Sequence, residues 1–251
     1  MGSPEYDAQS DWESSIDVAP VNYNKRLPAI LLLDTSSSMS GAPINELNSA
    51  LKLLQTEFDP ETGDPTATRS VELALVTFGA GGVQIVDLKS GRGSASVQDA
   101  FVEAGEFQAP VLAPGGSTPM GEGMRTALTA LEERKRYYRQ HSIAYFRPWI
   151  FLISDGAPTD SWQSAAGDAV AAERGNHLLV FPIGVAGADL ATLGNFSTRP
   201  ALMLQGLKFR ELFQFISNSL TTVSNSDPGT EAVAVTPEAL SAWAQIPLSH
   251  G

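Results

Sequence analysis

Four continuous apolar runs, at residues 27–33, 71–78, 149–153 and 178–185, set the terms for this chain, and the first ends on Asp34. A run without polar alternation suits a strand buried on both faces, as in a parallel sheet covered by helices. Between the runs, apolar residues return at helical spacing: Ile44, Leu47, Leu51 and Leu54, then Met120, Met124, Ala127 and Leu131, and finally Phe209, Leu212, Phe213, Ile216 and Leu220. Residues 165–174 read as a shorter helix. Pro43 suits a first helical turn, and Thr118-Pro119 reads as an N-cap followed by proline at the first helical position. Strands alternating with helices predict an α/β fold, a doubly wound and mostly parallel sheet with helices on both faces. A shorter run at 83–88, joined to the second strand through the glycine turn at 79–82, is expected to add one antiparallel edge strand.

The 251 residues suit one large domain with tails. Residues 1–26 are acidic and without periodicity and are expected to form a flexible arm; 27–224 form the domain and 225–251 a tail. Within the tail, Thr236-Pro237-Glu238 starts a short helix that carries Leu240 and Trp243, with Trp243 expected to dock on the domain. The absence of cysteine excludes disulfides, thiolate metal sites and cysteine nucleophiles. Sixteen basic residues against 28 acidic ones give a net charge of −12, which argues against nucleic acid as a partner. The first 17 residues carry Glu5, Asp7, Asp11, Glu13 and Asp17, with no basic start and no apolar stretch. No segment approaches the roughly 18–20 apolar residues that span a bilayer. A cytoplasmic protein with no membrane contact is the expectation.

In open α/β sheets, ligands bind beyond the carboxyl ends of the strands. Three loops fall there: Asp34-Thr35-Ser36-Ser37-Ser38 after the first strand, Gly115-Gly116-Ser117-Thr118-Pro119 before a helix, and Ser154-Asp155-Gly156 after the third long run. They offer carboxylates and hydroxyls and neither histidine nor cysteine. An oxygen-only set suits a hard cation such as Mg²⁺, Ca²⁺ or Mn²⁺. In an extended stretch Asp34, Ser36 and Ser38 would share one side, with Thr118 and Asp155 completing the set from neighbouring strand ends. Each motif also has a plain structural reading. Serine-rich loops and Asp-Gly pairs make turns, Thr118 can cap a helix, and Asp160 can orient its own loop.

The pattern Asp34-x-Ser36-x-Ser38, Thr118 in Gly-Ser-Thr-Pro-Met-Gly, and Asp155 in Ser-Asp-Gly resembles the metal-ion-dependent adhesion site of von Willebrand factor A domains, motif for motif and in chain order. Within that superfamily the chain is similar to bacterial TerY-like proteins of tellurite-resistance and stress operons. That likeness rests on Leu-Leu-Leu-Asp-Thr-Ser-x-Ser-Met-Ser-Gly, Phe-Leu-Ile-Ser-Asp-Gly-x-Pro-Thr-Asp and Gly-Val-Ala-Gly-Ala-Asp-Leu, within residues 27–224. Some TerY-like proteins carry a cysteine-rich C-terminal segment that this chain lacks, so the likeness concerns the A domain alone. The resemblance implies a Rossmann-like fold and a Mg²⁺ site formed by Asp34, Ser36, Ser38, Thr118 and Asp155, with Ca²⁺ or Mn²⁺ as substitutes. It implies a protein partner whose Asp or Glu carboxylate completes the ion's shell, such as an operon-associated kinase or phosphatase, and a scaffold role instead of catalysis.

A metal-dependent phosphohydrolase of the haloacid dehalogenase type is the alternative, since it too places an Asp after the first strand. Such an enzyme needs a second Asp two residues on as acid and base, where this chain has Ser36. A third reading is self-regulation, with the acidic arm or the tail, through Asp227 or Glu231, supplying a carboxylate to the site. His141, His177 and His250 are scattered without partners at motif spacing, and the charged run at 132–136 reads as a solvated helix face.

Overall fold

The structure, a computed structural model, describes residues 25–226, 240 and 242–245. Its first strand, β1 (Leu27–Thr35), is buried along its whole length in an eight-stranded sheet. It pairs in parallel with β2 (Val71–Gly79) on one side and β5 (Trp149–Ser154) on the other. From β5 the sheet continues in parallel through β6 (Leu179–Gly184) to β7 (Leu202–Leu204). The alternation of side chains along β1 explains its unbroken apolar run. Leu27, Ala29, Leu31 and Leu33 pack in one core cluster with α1 (Ala42–Glu57) and α6 (Phe209–Ser224). Ile30 and Leu32 pack in the other with α3 (Met120–Gln140) and α4 (Gln163–Arg174). Both faces are therefore covered, as the doubly wound reading requires.

The expected antiparallel edge strand is present as β3 (Gly82–Ile85), which pairs with residues 76–79 of β2. It is shorter than the apolar run suggested, because the chain leaves β2 after a last bond from the Val86 N–H to the Leu75 carbonyl, and Val86 also bridges to Ser94. That leaves the first half of β2 open on this side, and β4 (Val102–Glu103) pairs there, also antiparallel. A third antiparallel pairing closes the far edge, where β8 (Ala244–Gln245) adds to β7. Only the first of these three was marked in the sequence, since two-residue strands carry no periodicity.

Arg26, assigned by sequence to the arm, belongs to the fold: it bridges to Tyr145 and forms an ion pair with buried Glu72 at 3.5 Å. Arg134 holds the same carboxylate at 2.6 Å, beside the Tyr138 hydroxyl. The 132–136 run is thus not a solvated face, because Arg134 turns inward to Glu72 and Lys135 is itself buried. Trp243 docks on the domain, its ring 5.4 Å from that of Phe215. The tail helix expected from 236 lies mostly outside the described residues, as do residues 1–24, Asp227 and Glu231.

Candidate metal centre

Strand order brings the predicted loops together. Leu33 is level with Ile153 in the β1–β5 pairing, so Asp34 and Ser154 leave the sheet side by side. The helices that follow these two strands pack on opposite faces, α1 in one core cluster and α4 in the other. A crevice opens at such a switch point.

Asp34 is fully buried. Its Oδ1 accepts the Ser36 backbone N–H at 2.7 Å, and its Oδ2 accepts the Ser154 hydroxyl at 2.5 Å. Burial pushes the Asp34 carboxyl above its usual range against those hydrogen bonds, and the nearby charge of Asp155 pushes the same way. A carboxylate in that position gains when a cation joins it.

The two serines reach the site by a different route from the extended one read in the sequence. Residues Ser37–Met39 form a single 3₁₀ turn, anchored by buried Met39, and the turn folds Ser38 back over Ser36. Their hydroxyl oxygens lie 2.9 Å apart, and the Ser38 hydroxyl donates to Asp155 Oδ1 at 2.7 Å. Ser37 faces away, its N–H and hydroxyl both donating to the Gly116 carbonyl.

Thr118 does not cap α3. The helix is capped from outside by Asp160, whose carboxylate accepts the N–H groups of Gly121 at 3.0 Å and Glu122 at 2.8 Å. Thr118 is held instead by its backbone, its N–H donating to the Thr159 hydroxyl and its carbonyl accepting the Thr159 N–H. Among the described residues nothing bonds the Thr118 hydroxyl, which is left for the crevice. Asp160 thereby does two jobs, starting α3 and tying the 155–160 loop to it. Asp160→Ala is expected to remove about 1 kcal/mol of stability, as for other lost caps, read as a lower midpoint in chemical denaturation.

All five predicted side chains therefore meet at one strand end, and one point defines their centre. A Cβ placed on Gly156 would lie 3.6 Å from Thr118 Oγ1, 3.7 Å from Ser38 Oγ and 4.0 Å from Asp34 Oδ2. Glycine keeps that space open. Ser36 joins the set through Ser38, and so does Asp155. The donors are two carboxylates and three hydroxyls, and among the described residues no three His, Cys, Asp or Glu side chains gather anywhere. Such a set fits a hard, oxygen-seeking cation and brings no more negative charge than a divalent ion carries.

Two residues read in the sequence only as parts of a turn and a loop support this site. Ser154 orients Asp34, a contact visible only once β1 and β5 are known to be neighbours. Gly79, at φ 144°, lets β2 end beneath the metal loop, where a Cβ would sit 2.3 Å from the Ser36 nitrogen.

A family model for the von Willebrand factor type A domain matches residues 30–221, which takes in all three loops. The chain belongs to this family. Solved structures share its fold at low sequence identity. Proximal thread matrix protein 1 from the mussel byssus aligns with TM-score 0.51 and 16% identity over 79% of this chain and 48% of that one. The pilus adhesin SpaC of Lactobacillus rhamnosus GG gives 0.56 and 14% over 80% of this chain and 31% of the adhesin. The vWF domain of the type V pili tip protein Mfa5 from Porphyromonas gingivalis gives 0.50 and 13%, covering 81% of this chain and 98% of that domain. This chain thus spans about half of the mussel protein and about a third of the adhesin. No curated protein shows significant sequence similarity to it. Among the described residues no helix is long and apolar enough to cross a membrane.

Proposed function

We propose that this A domain is a divalent-metal-dependent protein-interaction module whose Asp34, Ser36, Ser38, Thr118 and Asp155 form a metal-ion-dependent adhesion site. The carrying observation is the convergence of Asp34 and Ser38 oxygens from one loop and the Thr118 oxygen from a second around the space that Gly156 of the third leaves open. Mg²⁺ is the ion best suited to so few carboxylates, and Ca²⁺ or Mn²⁺ would use the same oxygens. Bound there, the ion supplies a Lewis-acidic contact for a carboxylate of the partner.

The chain's own residues prepare that contact. Ser154 and the Ser36 N–H hold Asp34 in one orientation, and Ser38 positions Asp155. Ordering these oxygens beforehand lowers the entropy lost on binding. Three of the five donors are neutral hydroxyls, so the two carboxylates balance but do not exceed a divalent ion's charge, and an incoming Asp or Glu is drawn by the ion's open coordination position despite the chain's overall −12. Screening over about 8 Å at physiological salt confines the repulsion from the rest of the surface.

The module is non-catalytic in this reading. A phosphohydrolase would need an accessible nucleophilic Asp, whereas Asp34 is buried with both oxygens engaged, and an acid–base residue where Ser36 stands. The likeness to TerY-like proteins supports reading the module as a cytoplasmic scaffold in a bacterial tellurite-resistance or stress-signalling system, its partner an operon-associated kinase or phosphatase. The test is affinity capture with intact protein beside Asp34→Ala, with and without Mg²⁺. Partners retained by the intact protein in Mg²⁺ and lost both in chelator and in Asp34→Ala are the expected result. Capture that persists in excess chelator would overturn the proposal.

A further inference from the structure

A groove of about 550 Å³ opens at the same end of the sheet, between residues 84–93 on one wall and 108–113 on the other. Its inner end, at Thr35 and Ala80, is bonded directly into the metal loop. The Thr35 carbonyl accepts the N–H groups of Ala80 and Gly115, and the Gly116 carbonyl accepts from Ser37. The 113–117 segment thus crosses between groove and metal centre as a shared rim.

The walls are held in place by side chains. Asn48 pairs with both backbone groups of Leu112, at 2.8 and 2.9 Å, and Gln55 accepts the Ala109 N–H at 3.0 Å. The opposite wall is joined across the end of the groove, where the Gln108 N–H donates to the Leu88 carbonyl at 2.8 Å. A preformed groove binds without first having to be ordered.

Arg92 is the one charged residue among those lining this space, in a chain of net charge −12. Among the described residues no carboxylate forms an ion pair with it. The nearest acid in its turn, Asp87, is already engaged by the Lys89 N–H at 2.9 Å and the Ser90 hydroxyl at 2.7 Å. On the other wall, Val111 is 77% exposed between Ala109 and Leu112, whose backbones Gln55 and Asn48 hold. A guanidinium fork beside an apolar ledge matches a peptide that carries a carboxylate next to an apolar side chain.

We propose that this groove receives an acidic peptide segment of the partner protein, with one carboxylate at the metal centre and a second on Arg92. The inference rests on the metal-dependent reading above and adds the partner's chemistry: two acids, separated by the width of the 113–117 rim.

The test uses fluorescein-labelled capped peptides in which a glutamate is followed, after spacers of increasing length, by a second glutamate. Matched peptides carry glutamine at the second position. Anisotropy is read in Mg²⁺ and in chelator, for the intact protein and for Arg92→Glu, Val111→Ser and Asp34→Ala. At one spacer length the two-acid peptide should bind about tenfold or more tightly than its match, and Arg92→Glu should erase that preference. Val111→Ser should weaken both peptides, and Asp34→Ala should abolish metal-dependent binding. Equal affinity of intact protein and Arg92→Glu for every two-acid peptide overturns the groove while leaving the metal reading standing. Binding that survives chelator yet is lost in Arg92→Glu supports the groove and overturns the metal reading. Failure of every peptide to bind, or self-association lost in Arg92→Glu, overturns the peptide proposal, the latter by showing a second copy to be the occupant.

Discussion

Adding one methyl group at Gly156 is expected to abolish metal binding while leaving the fold and all five proposed ligands in place. The position has an ordinary backbone conformation, and a Cβ there makes only van der Waals contacts of 3.6–4.0 Å with Thr118, Ser38 and Asp34. Nothing in the protein alone resists the substitution, and replacing glycine in a compatible conformation tends to stabilise by about 0.4–1 kcal/mol. An octahedral ion is less tolerant. Magnesium needs oxygens at about 2.0–2.1 Å and room for the waters it keeps, and the methyl would occupy the open side of the three converging oxygens. At a metal concentration about 100 times the dissociation constant, binding stabilises the intact protein by about 2.7 kcal/mol. For a domain of this size that is a rise in melting temperature of roughly 5–11 °C. Gly156→Ala should show no rise with Mg²⁺ and an unchanged or slightly higher melting temperature without it. A full metal-induced rise in Gly156→Ala would place the ion elsewhere. This variant separates the site from its ligands more cleanly than Asp34→Ala, which also removes a buried partner from Ser154 and from the Ser36 N–H.

How the site was legible in sequence, and where it was not, follows from what each contact depends on. Asp34, Ser36, Ser38, Thr118 and Asp155 stood out because each follows an apolar run or opens a helix, and strand ends in an α/β sheet are where ligands gather. The meeting of Asp34, Ser36 and Ser38 with Asp155 requires only that β1 and β5 be neighbours, which the doubly wound pattern implies, whereas Thr118 is brought in by its backbone bonds to Thr159. The local geometry was not legible. Extended alternation and a 3₁₀ turn both bring Ser36 and Ser38 together, and the turn is held by buried Met39 and by the Ser37 bonds to the distant Gly116 carbonyl. Thr118-Pro119 carries a capping signature, yet the cap comes from Asp160, 39 and 38 residues from the N–H groups it accepts. Local sequence signals cannot register a distant competitor for the same donors. Ser154 and Gly79 act across strands in the same way, so their roles emerge only from register and close approach. The fold shows the same division. The long strands and helices declare themselves by periodicity, whereas β4 and β8 are two-residue pairings that exist because neighbouring strand edges were left open.

The largest effect on stability is expected at a residue far from the crevice. Glu173, near the end of α4, is buried, and its carboxylate draws together three separate pieces of chain. Oε1 accepts the Val180 N–H at 3.2 Å and meets the Arg199 guanidinium. Oε2 accepts the Ser197 hydroxyl at 2.9 Å and the N–H and hydroxyl of Thr198 at 2.5 and 2.8 Å. Burial alone would raise this carboxyl, but the hydrogen bonds from Thr198, Val180 and Ser197 outweigh it and hold the group below its usual range. Both oxygens serve only as acceptors, so Glu173→Gln must turn an amide N–H₂ against donors whichever way it lies. Leaving half of a buried charged network unmatched costs about 3 kcal/mol at neutral pH. The pH dependence fixes the sign. A carboxyl whose folded pKa is lowered adds stability above its unfolded value, near pH 4.3, and loses it as pH falls through the folded one. The gap between intact protein and Glu173→Gln should therefore be constant from neutral pH down to about pH 5, and should narrow below about pH 4.3. Urea denaturation of both proteins across that range measures it. A gap that stayed constant through the acid range would show the carboxylate to be no better held in the folded chain than in the unfolded one.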